Sequence, residues 1–311
     1  MHIAHFLADA PPRWPRPVAA LGNFDGVHRG HQKILDRVKA QAAACGGNPV
    51  VVTFDPHPPR VVRPDKAPPM LMTLAQRLET FERAGVYGVA VVQFTPEMAR
   101  WEPEAFVDRV LVDWLEVAEV WVGANFLFGR DRLGTFTLLK VLGEDRGFLT
   151  GNIEPVRYRD FVVSSTRIRR LIGEGRVGES AELLGHHYFL DGVVVHGEKR
   201  GRLLGFPTAN LHVANELLPA WGIYATIAVV DGVRHPAVTS LGVRPAITGD
   251  GAVTVETHLL DGAIDLYGVS MRLEFVEWLR PEEKFDSLEA LSAQIGLDCE
   301  AGRRVIAREG L

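Results

Sequence analysis

Apolar residues in this chain come in short runs, separated in its first half by stretches of helical period. VAALGNF (18–24) and PVVVTF (49–54) are brief apolar runs closed by turn residues, as buried strands are. Between them Ile34, Leu35, Val38, Ala42 and Cys45 recur at helical spacing, and GGN ends the segment, which predicts one amphipathic helix. TLAQRLETFERAG (73–85) predicts the next helix and YGVAVVQF (87–94) the next strand; PEAFVDRVLVDWL (103–115) and VAEVWVG (117–123) repeat the pair. Strands alternating with helices predict an α/β domain with a parallel sheet. TRIRRLIGEGRVGESAELLG (166–185) reads as a bridging helix.

Near residue 185 the texture changes. YFLDGVVVHG, GIYATIAVV, VRHPAVTSLGV, VTVETHLLD and VSMRLEFVEWL carry the β-branched and apolar content of antiparallel strands, with Asp231-Gly232 and Asp261-Gly262 as hairpin turns. DSLE starts a last helix, Asp286 and Glu289 having capping-box spacing. The expectation is a Rossmann-like α/β domain over residues 1–184 and a small antiparallel β-barrel with a terminal helix over 185–311.

Composition narrows the function classes. A length of 311 residues suits two domains, and 47% hydrophobic with 23% charged residues is ordinary for a soluble globular protein. A net charge of -5 gives no general attraction to nucleic acid, so an anionic ligand must be held by local devices. Cys45 and Cys299 fit no disulfide or zinc pattern. The opening stretch lacks the apolar core of a signal peptide and no run approaches the roughly 18 residues of a membrane span, so a cytoplasmic location without membrane contact is expected, as a monomer or homo-oligomer.

The first chemistry-bearing stretch is GNFDGVHRGH (22–31), where a strand gives way to a helix. Ligands of parallel α/β sheets bind beyond the carboxyl ends of the strands, and backbone N–H groups at a helix start favour an anion. Gly30 removes a side chain that would hold a phosphate off, and Gly26 relaxes the turn. His28 and His31 can donate to phosphate oxygens, with a charge set by proton uptake near neutrality, and stabilise a phosphoryl transition state. A metal pair and a pair of satisfied surface histidines are the other readings; no further Cys or His completes a close cluster for the first, and the place right after a strand favours a ligand over the second.

LGNFDGVHRGH resembles the signature of the nucleotidyltransferase superfamily, and of bacterial FAD synthetases in particular. The resemblance implies ATP and phosphate binding by Gly22, Phe24 and Gly30 beside the two histidines. SSTRIR (164–169) is similar to the family's S-S-T-x-x-R element, which implies that Ser164, Ser165, Thr166 and Arg169 hold the triphosphate; hydroxyls can cap a helix while donating, and Arg binds phosphate bidentately. GANFLFG (123–129) resembles the G-x-[DN]-F-x-F-G segment, which implies a place for Asn125 at the flavin phosphate or the reacting centre. Phe126 and Phe128 read either as core or as a ring-stacking wall, and FDPHP (54–58) implies a flavin contact for Asp55 and His57. Leu127 stands where many members carry Arg.

In the β-rich half, GRLLGFPTANL (201–211) places Thr208 and Asn210 two apart, on one face of an extended segment. A hydroxyl and an amide oxygen are hard ligands suited to Mg²⁺ carrying ATP phosphates. Gly197, Gly201 and Gly205 let backbone approach those phosphates, Arg202 adds charge and Pro207 fixes the local chain. A Gly-rich turn before a polar edge strand is the plain alternative. GFPTAN resembles the riboflavin kinase signature, and VTVETHLLD resembles that family's V-E-x-H-L-L-D segment, which implies that Glu256 accepts the proton of the ribityl 5′-hydroxyl. No Walker A pattern occurs, and Ala246 stands where the family commonly has Thr.

Together the resemblances cover nearly the whole chain and imply a bifunctional enzyme of flavin-cofactor synthesis. Its C-terminal half would convert riboflavin and ATP to FMN and ADP, and its N-terminal half FMN and a second ATP to FAD and pyrophosphate. Two other readings are an adenylyltransferase for another phosphate ester, against which GFPTAN argues, and a flavin-binding protein without activity, against which His28, His31, Asn125 and Arg169 argue.

Overall fold

The apolar runs of the first half pair side by side into one parallel sheet. A computed structural model describes residues 1–197, 205–243, 253–262 and 266–311, and divides into compact units Met1–Ser165 and Thr166–Leu311. In the first unit the sheet has the order β1-β4-β3-β2-β5-β6, formed by β1 (His2–Phe6), β2 (Pro17–Leu21), β3 (Asn48–Phe54), β4 (Gly88–Val92), β5 (Glu119–Gly123) and β6 (Leu149–Ile153). All five pairings are parallel. The order reverses between β2 and β5, so the ends of these two strands form the switch point where open α/β sheets take ligands. The histidine turn follows β2 and Asn125 follows β5.

Helix α1 (Arg29–Cys45) buries Ile34, Leu35, Val38 and Ala42 and ends on Gly46 at a φ of 67°. Next come α2 (Pro58–Val62) and α3 (Leu74–Arg83), the latter opened by a capping box of Thr73 and Gln76. The stretch over 103–115 is wound in two ways: α4 (Pro103–Phe106) passes into a wider π-helical segment, Val107–Trp114. Helix α5 (Phe136–Arg146) precedes β6, and β7 (Arg157–Tyr158) pairs with β8 (Phe161–Val162) before the unit ends.

In the six-stranded sheet two strands lie outside those read from periodicity, β1 and β6, both at its edges, and the short β7–β8 pair lies outside them too. An edge strand buries fewer side chains: β1 encloses only Ala4 and Phe6, and Leu149 of β6 is exposed. The bridging stretch is two helices, α6 (Ser165–Gly173) and α7 (Val177–Leu184), parted around Gly175 at a φ of 79°. Both fall with the barrel, since the Ala220 N–H donates to the Ile172 carbonyl at 3.3 Å and α7 packs on β9 and β14. By contacts the two units part at 165/166, so α6 and α7 group with the barrel.

The second unit closes β9 (Tyr188–Val195), β10 (Ala209–Val213), β11 (Gly222–Val230), β12 (Val233–Val243), β13 (Val253–Leu259) and β14 (Ser270–Arg280) into an antiparallel barrel of order β10-β13-β12-β11-β14-β9. Asp231 and Gly232 both take positive φ, 50° and 79°, as a two-residue hairpin turn requires. The terminal helix α8 (Leu288–Ile306) is capped by Ser287, whose Oγ accepts from the Ala290 N–H at 3.1 Å. The cap is thus one residue beyond Asp286, because Ser287 has the extended backbone that a cap requires.

Inside the barrel the hydroxyls of Thr226, Thr239 and Thr257 form a buried chain, 2.8 and 2.9 Å apart. Thr239→Val preserves shape but removes the middle link, leaving two buried hydroxyls each short of a partner. Urea unfolding of the variant is expected to show a loss of about 1–3 kcal/mol. An unchanged midpoint would mean the chain carries no stability.

Candidate active sites

The turn after β2 is built from backbone that few residues adopt. Phe24, Gly26 and Val27 have φ of 51°, 84° and 37°. Such a turn brings His28 to the N-cap of α1, where its Nδ1 accepts from the His31 N–H at 3.3 Å. The two imidazoles lie stacked, centroids 3.6 Å apart and planes 14° from parallel. The Phe24 ring, 1% exposed, packs against His31 at 5.0 Å and Phe81 at 5.6 Å, so its side chain belongs to the core and orients a histidine. A Cβ on Gly30 would press on the His28 ring at 3.1 Å, so the room this glycine leaves is used by the imidazole.

Charge at His31 differs from the sequence expectation. Burial, and then the neighbouring His28, push its pKa well below the usual 6.5, so it is neutral at neutral pH. Its Nδ1 is enclosed and has no hydrogen-bond partner within the protein, and the same is true of Asn23 Oδ1 in the same turn. Neutral imidazole still offers one N–H to a phosphate oxygen.

Asp25 went unrecognised in the sequence although it sits inside the quoted turn. Its carboxylate, 2% exposed, accepts from the N–H groups of Leu71 at 3.0 and 3.1 Å and Met72 at 3.2 Å. Its carbonyl accepts from the Ser165 hydroxyl at 2.9 Å. The second motif is thereby tied to the first, with Ser164 just before the tie. Thr166 and Arg169 follow on α6, where both take part in its first turns.

Beyond β5, Asn125 is exposed, and the Phe126 N–H closes the turn onto the Gly123 carbonyl at 3.0 Å. Phe128 is core, 5.9 Å from Phe106, while Phe126 stacks on it at 5.6 Å and stays half-buried. Phe126 is the less buried ring of that stack, and Leu127 is exposed. Just past the end of β3, Asp55 lies 3.6 Å from the Arg77 guanidinium, and His57 is buried at the start of α2.

The barrel gathers its own group. Asn210 of β10 stands opposite Glu256 of β13, and the Thr208 hydroxyl is 3.4 Å from the Glu256 carboxylate. Glu256 faces away from buried Val255 and Thr257, as the strand period requires. The Pro207 carbonyl pairs with His258 Nδ1 at 2.8 Å, Gly205 has a φ of 84°, and a Cβ on Gly197 would run into the Asn210 amide. Glu282 stands close by, its carboxyl pushed up chiefly by burial and held by a bond to Ser240, the residue opposite Glu256 in β12. Gly201, Arg202 and Ala246 lie outside the described residues.

Among the described residues no three His, Cys, Asp or Glu side chains come together as a metal-holding group. A divalent ion at the barrel would rest on the Thr208 and Asn210 oxygens with phosphate and water completing its shell. Hard neutral oxygens of this kind suit a divalent ion that arrives with its nucleotide.

Comparison with known proteins identifies both halves of the chain. The FAD synthetase family model matches residues 10–167 and the riboflavin kinase model residues 184–306. A bifunctional riboflavin kinase/FMN adenylyltransferase from Pseudomonas fluorescens is 38% identical over 307 residues, spanning 99% of this chain and 98% of that one. Its counterpart from Escherichia coli (strain K12) is 35% identical over 295 residues, spanning 94% and 93%. The fold is shared with the crystal structure of a protein from Streptococcus pneumoniae described as a macrolide-efflux protein, at a TM-score of 0.87 and 26% identity over 97% of this chain and 99% of that one. Among the described residues no helix is long and apolar enough to cross a membrane. Two family matches in tandem and end-to-end identity with enzymes of both activities make this chain a member of the bifunctional riboflavin kinase/FMN adenylyltransferase family, which uses ATP to make FMN from riboflavin and FAD from FMN.

Proposed function

We propose that the two reactions are divided between the halves of the chain, residues 185–311 phosphorylating riboflavin and residues 1–184 adenylylating FMN. In the barrel, Glu256 takes the proton of the ribityl 5′-hydroxyl as its oxygen attacks the γ-phosphorus of ATP and ADP leaves. Thr208 and Asn210 hold Mg²⁺ on the nucleotide, with Gly201, Arg202, Gly205 and Pro207 shaping the cradle. Bound Mg²⁺ neutralises charge on the phosphates. At the switch point an FMN phosphate oxygen attacks the α-phosphorus of a second ATP, and pyrophosphate leaves. His28 and His31 donate to the phosphates, as do Ser164, Ser165, Thr166 and Arg169; Asn125 meets the reacting phosphate, and Asp55, His57 and the Phe126 face border the flavin. Both steps are direct displacements, so the residues contribute position and charge rather than a covalent intermediate.

The observation that carries this reading is the direct opposition of Asn210 and Glu256 with the Thr208 hydroxyl at 3.4 Å, which sets a proton acceptor beside two ion ligands. The chain would act as a monomer or homo-oligomer, and the demand for ATP suits the cytoplasm. The test is incubation with riboflavin, ATP and Mg²⁺, with flavins and nucleotides separated by chromatography. FMN should appear before FAD, pyrophosphate should equal FAD, and ADP should equal all phosphorylated flavin. Full FMN formation with the divalent ions chelated would overturn the role of Thr208 and Asn210.

A further inference from the structure

Arginine is seldom fully buried, yet Arg77 of α3, on the same side as Phe81, is the largest fully buried side chain among the described residues, 1% exposed. Its Nη1 donates to the Asn23 carbonyl at 2.9 Å, the Thr53 hydroxyl at 2.9 Å and the Phe54 carbonyl at 3.4 Å. Nη2 adds the Phe54 carbonyl at 3.3 Å and lies 3.6 Å from Asp55 Oδ1. The Thr53 hydroxyl in turn donates to the Asn23 carbonyl at 3.1 Å. Every acceptor thus belongs to the carboxyl end of β2 or β3, where the histidine turn and the Phe54–Pro58 segment begin.

Stability alone does not explain a cation there. Taking a charged group out of water costs several kcal/mol, and well-packed apolar replacements of buried ions are often neutral or stabilising. The turn supplies a reason. Non-glycine residues at positive φ, here Phe24 and Val27, persist only where the surroundings over-determine them. Three ties do so: Arg77 on the Asn23 carbonyl, the Leu71 and Met72 N–H groups on the Asp25 carboxylate, and the Ser165 hydroxyl on the Asp25 carbonyl. Two of the three start from α3 or the residues that lead into it, so this helix holds the turn on both sides of Phe24.

We propose that Arg77 is a positioning residue for adenylyl transfer, its buried guanidinium clamping the ends of β2 and β3 so that His28 and His31 meet the nucleotide in register. This rests on the histidine turn being the adenylylation centre. It acts through backbone and touches no substrate.

The test compares Arg77→Met, Arg77→Lys and Thr53→Val in the full chain, reading FMN-to-FAD and riboflavin-to-FMN turnover together with thermal unfolding. In Arg77→Met, kcat for FAD formation should fall about 100-fold, the scale of a small misplacement of reacting groups, with little change in KM for ATP or FMN. Riboflavin phosphorylation should be unaffected. Arg77→Lys should recover part of the loss, since an ammonium reaches one carbonyl but cannot fork across both strands. Thr53→Val, which keeps the cation and deletes one acceptor, should lower kcat several-fold, and it decides the matter if Arg77→Met does not fold. Undiminished kcat in the folded variants, or equal loss of both activities, overturns the proposal. His31→Ala run in parallel separates the two ideas: if it keeps FAD synthesis the turn itself has been misassigned, whereas its loss beside a fully active Arg77→Met sinks the clamp alone.

Discussion

His31→Ala is expected to stop FAD formation while riboflavin is still converted to FMN, which then accumulates. Removing one preorganised donor from a charge-stabilising site typically costs about 10²–10³ in turnover. Here the cost should exceed that range, because the His31 ring is also the surface on which His28 rests, 3.6 Å away, and the contact that Phe24 makes with the turn. One substitution therefore removes a donor and loosens its neighbour. Chromatography of the flavins after incubation with riboflavin and ATP distinguishes the outcomes. Equal loss of FMN and FAD would refute the division of labour.

The converse result is expected from the barrel. Glu256→Gln keeps shape and hydrogen bonding but cannot take a proton, and a positioned base is worth about 10²–10⁴ in rate. Asn210→Ala removes the amide that stands opposite Glu256 and crowds Gly197. Both variants should fail to phosphorylate riboflavin yet make FAD at the original rate from supplied FMN. Retained kinase turnover in both would remove these residues from the mechanism.

Much of the side-chain placement at the second candidate site was readable because it depends on a local period. In a strand, alternate residues share a face, so Thr208 with Asn210, and Glu256 turned away from Val255 and Thr257, follow from spacing alone. The same holds for the apolar stripe of α1 and for Asp231-Gly232, whose residue types favour the positive φ both adopt. Where the local signal was weak, the reading slipped: β1 and β6, half-solvated at the sheet edges, lack the apolar run of a central strand, and the cap of α8 moved from Asp286 to Ser287.

By itself, then, the sequence determined the order of the motifs, the alternation that makes a parallel sheet, and which neighbours share a face. These are short-range consequences of backbone geometry. Only the tertiary structure decided that His28 lies flat on a neutral His31, that Asp25 is spent on amides 46 and 47 residues away, and that Arg77 is buried under the turn. No window of neighbouring residues contains those facts, because each arises from desolvation and hydrogen bonding between segments that meet only when the sheet has assembled.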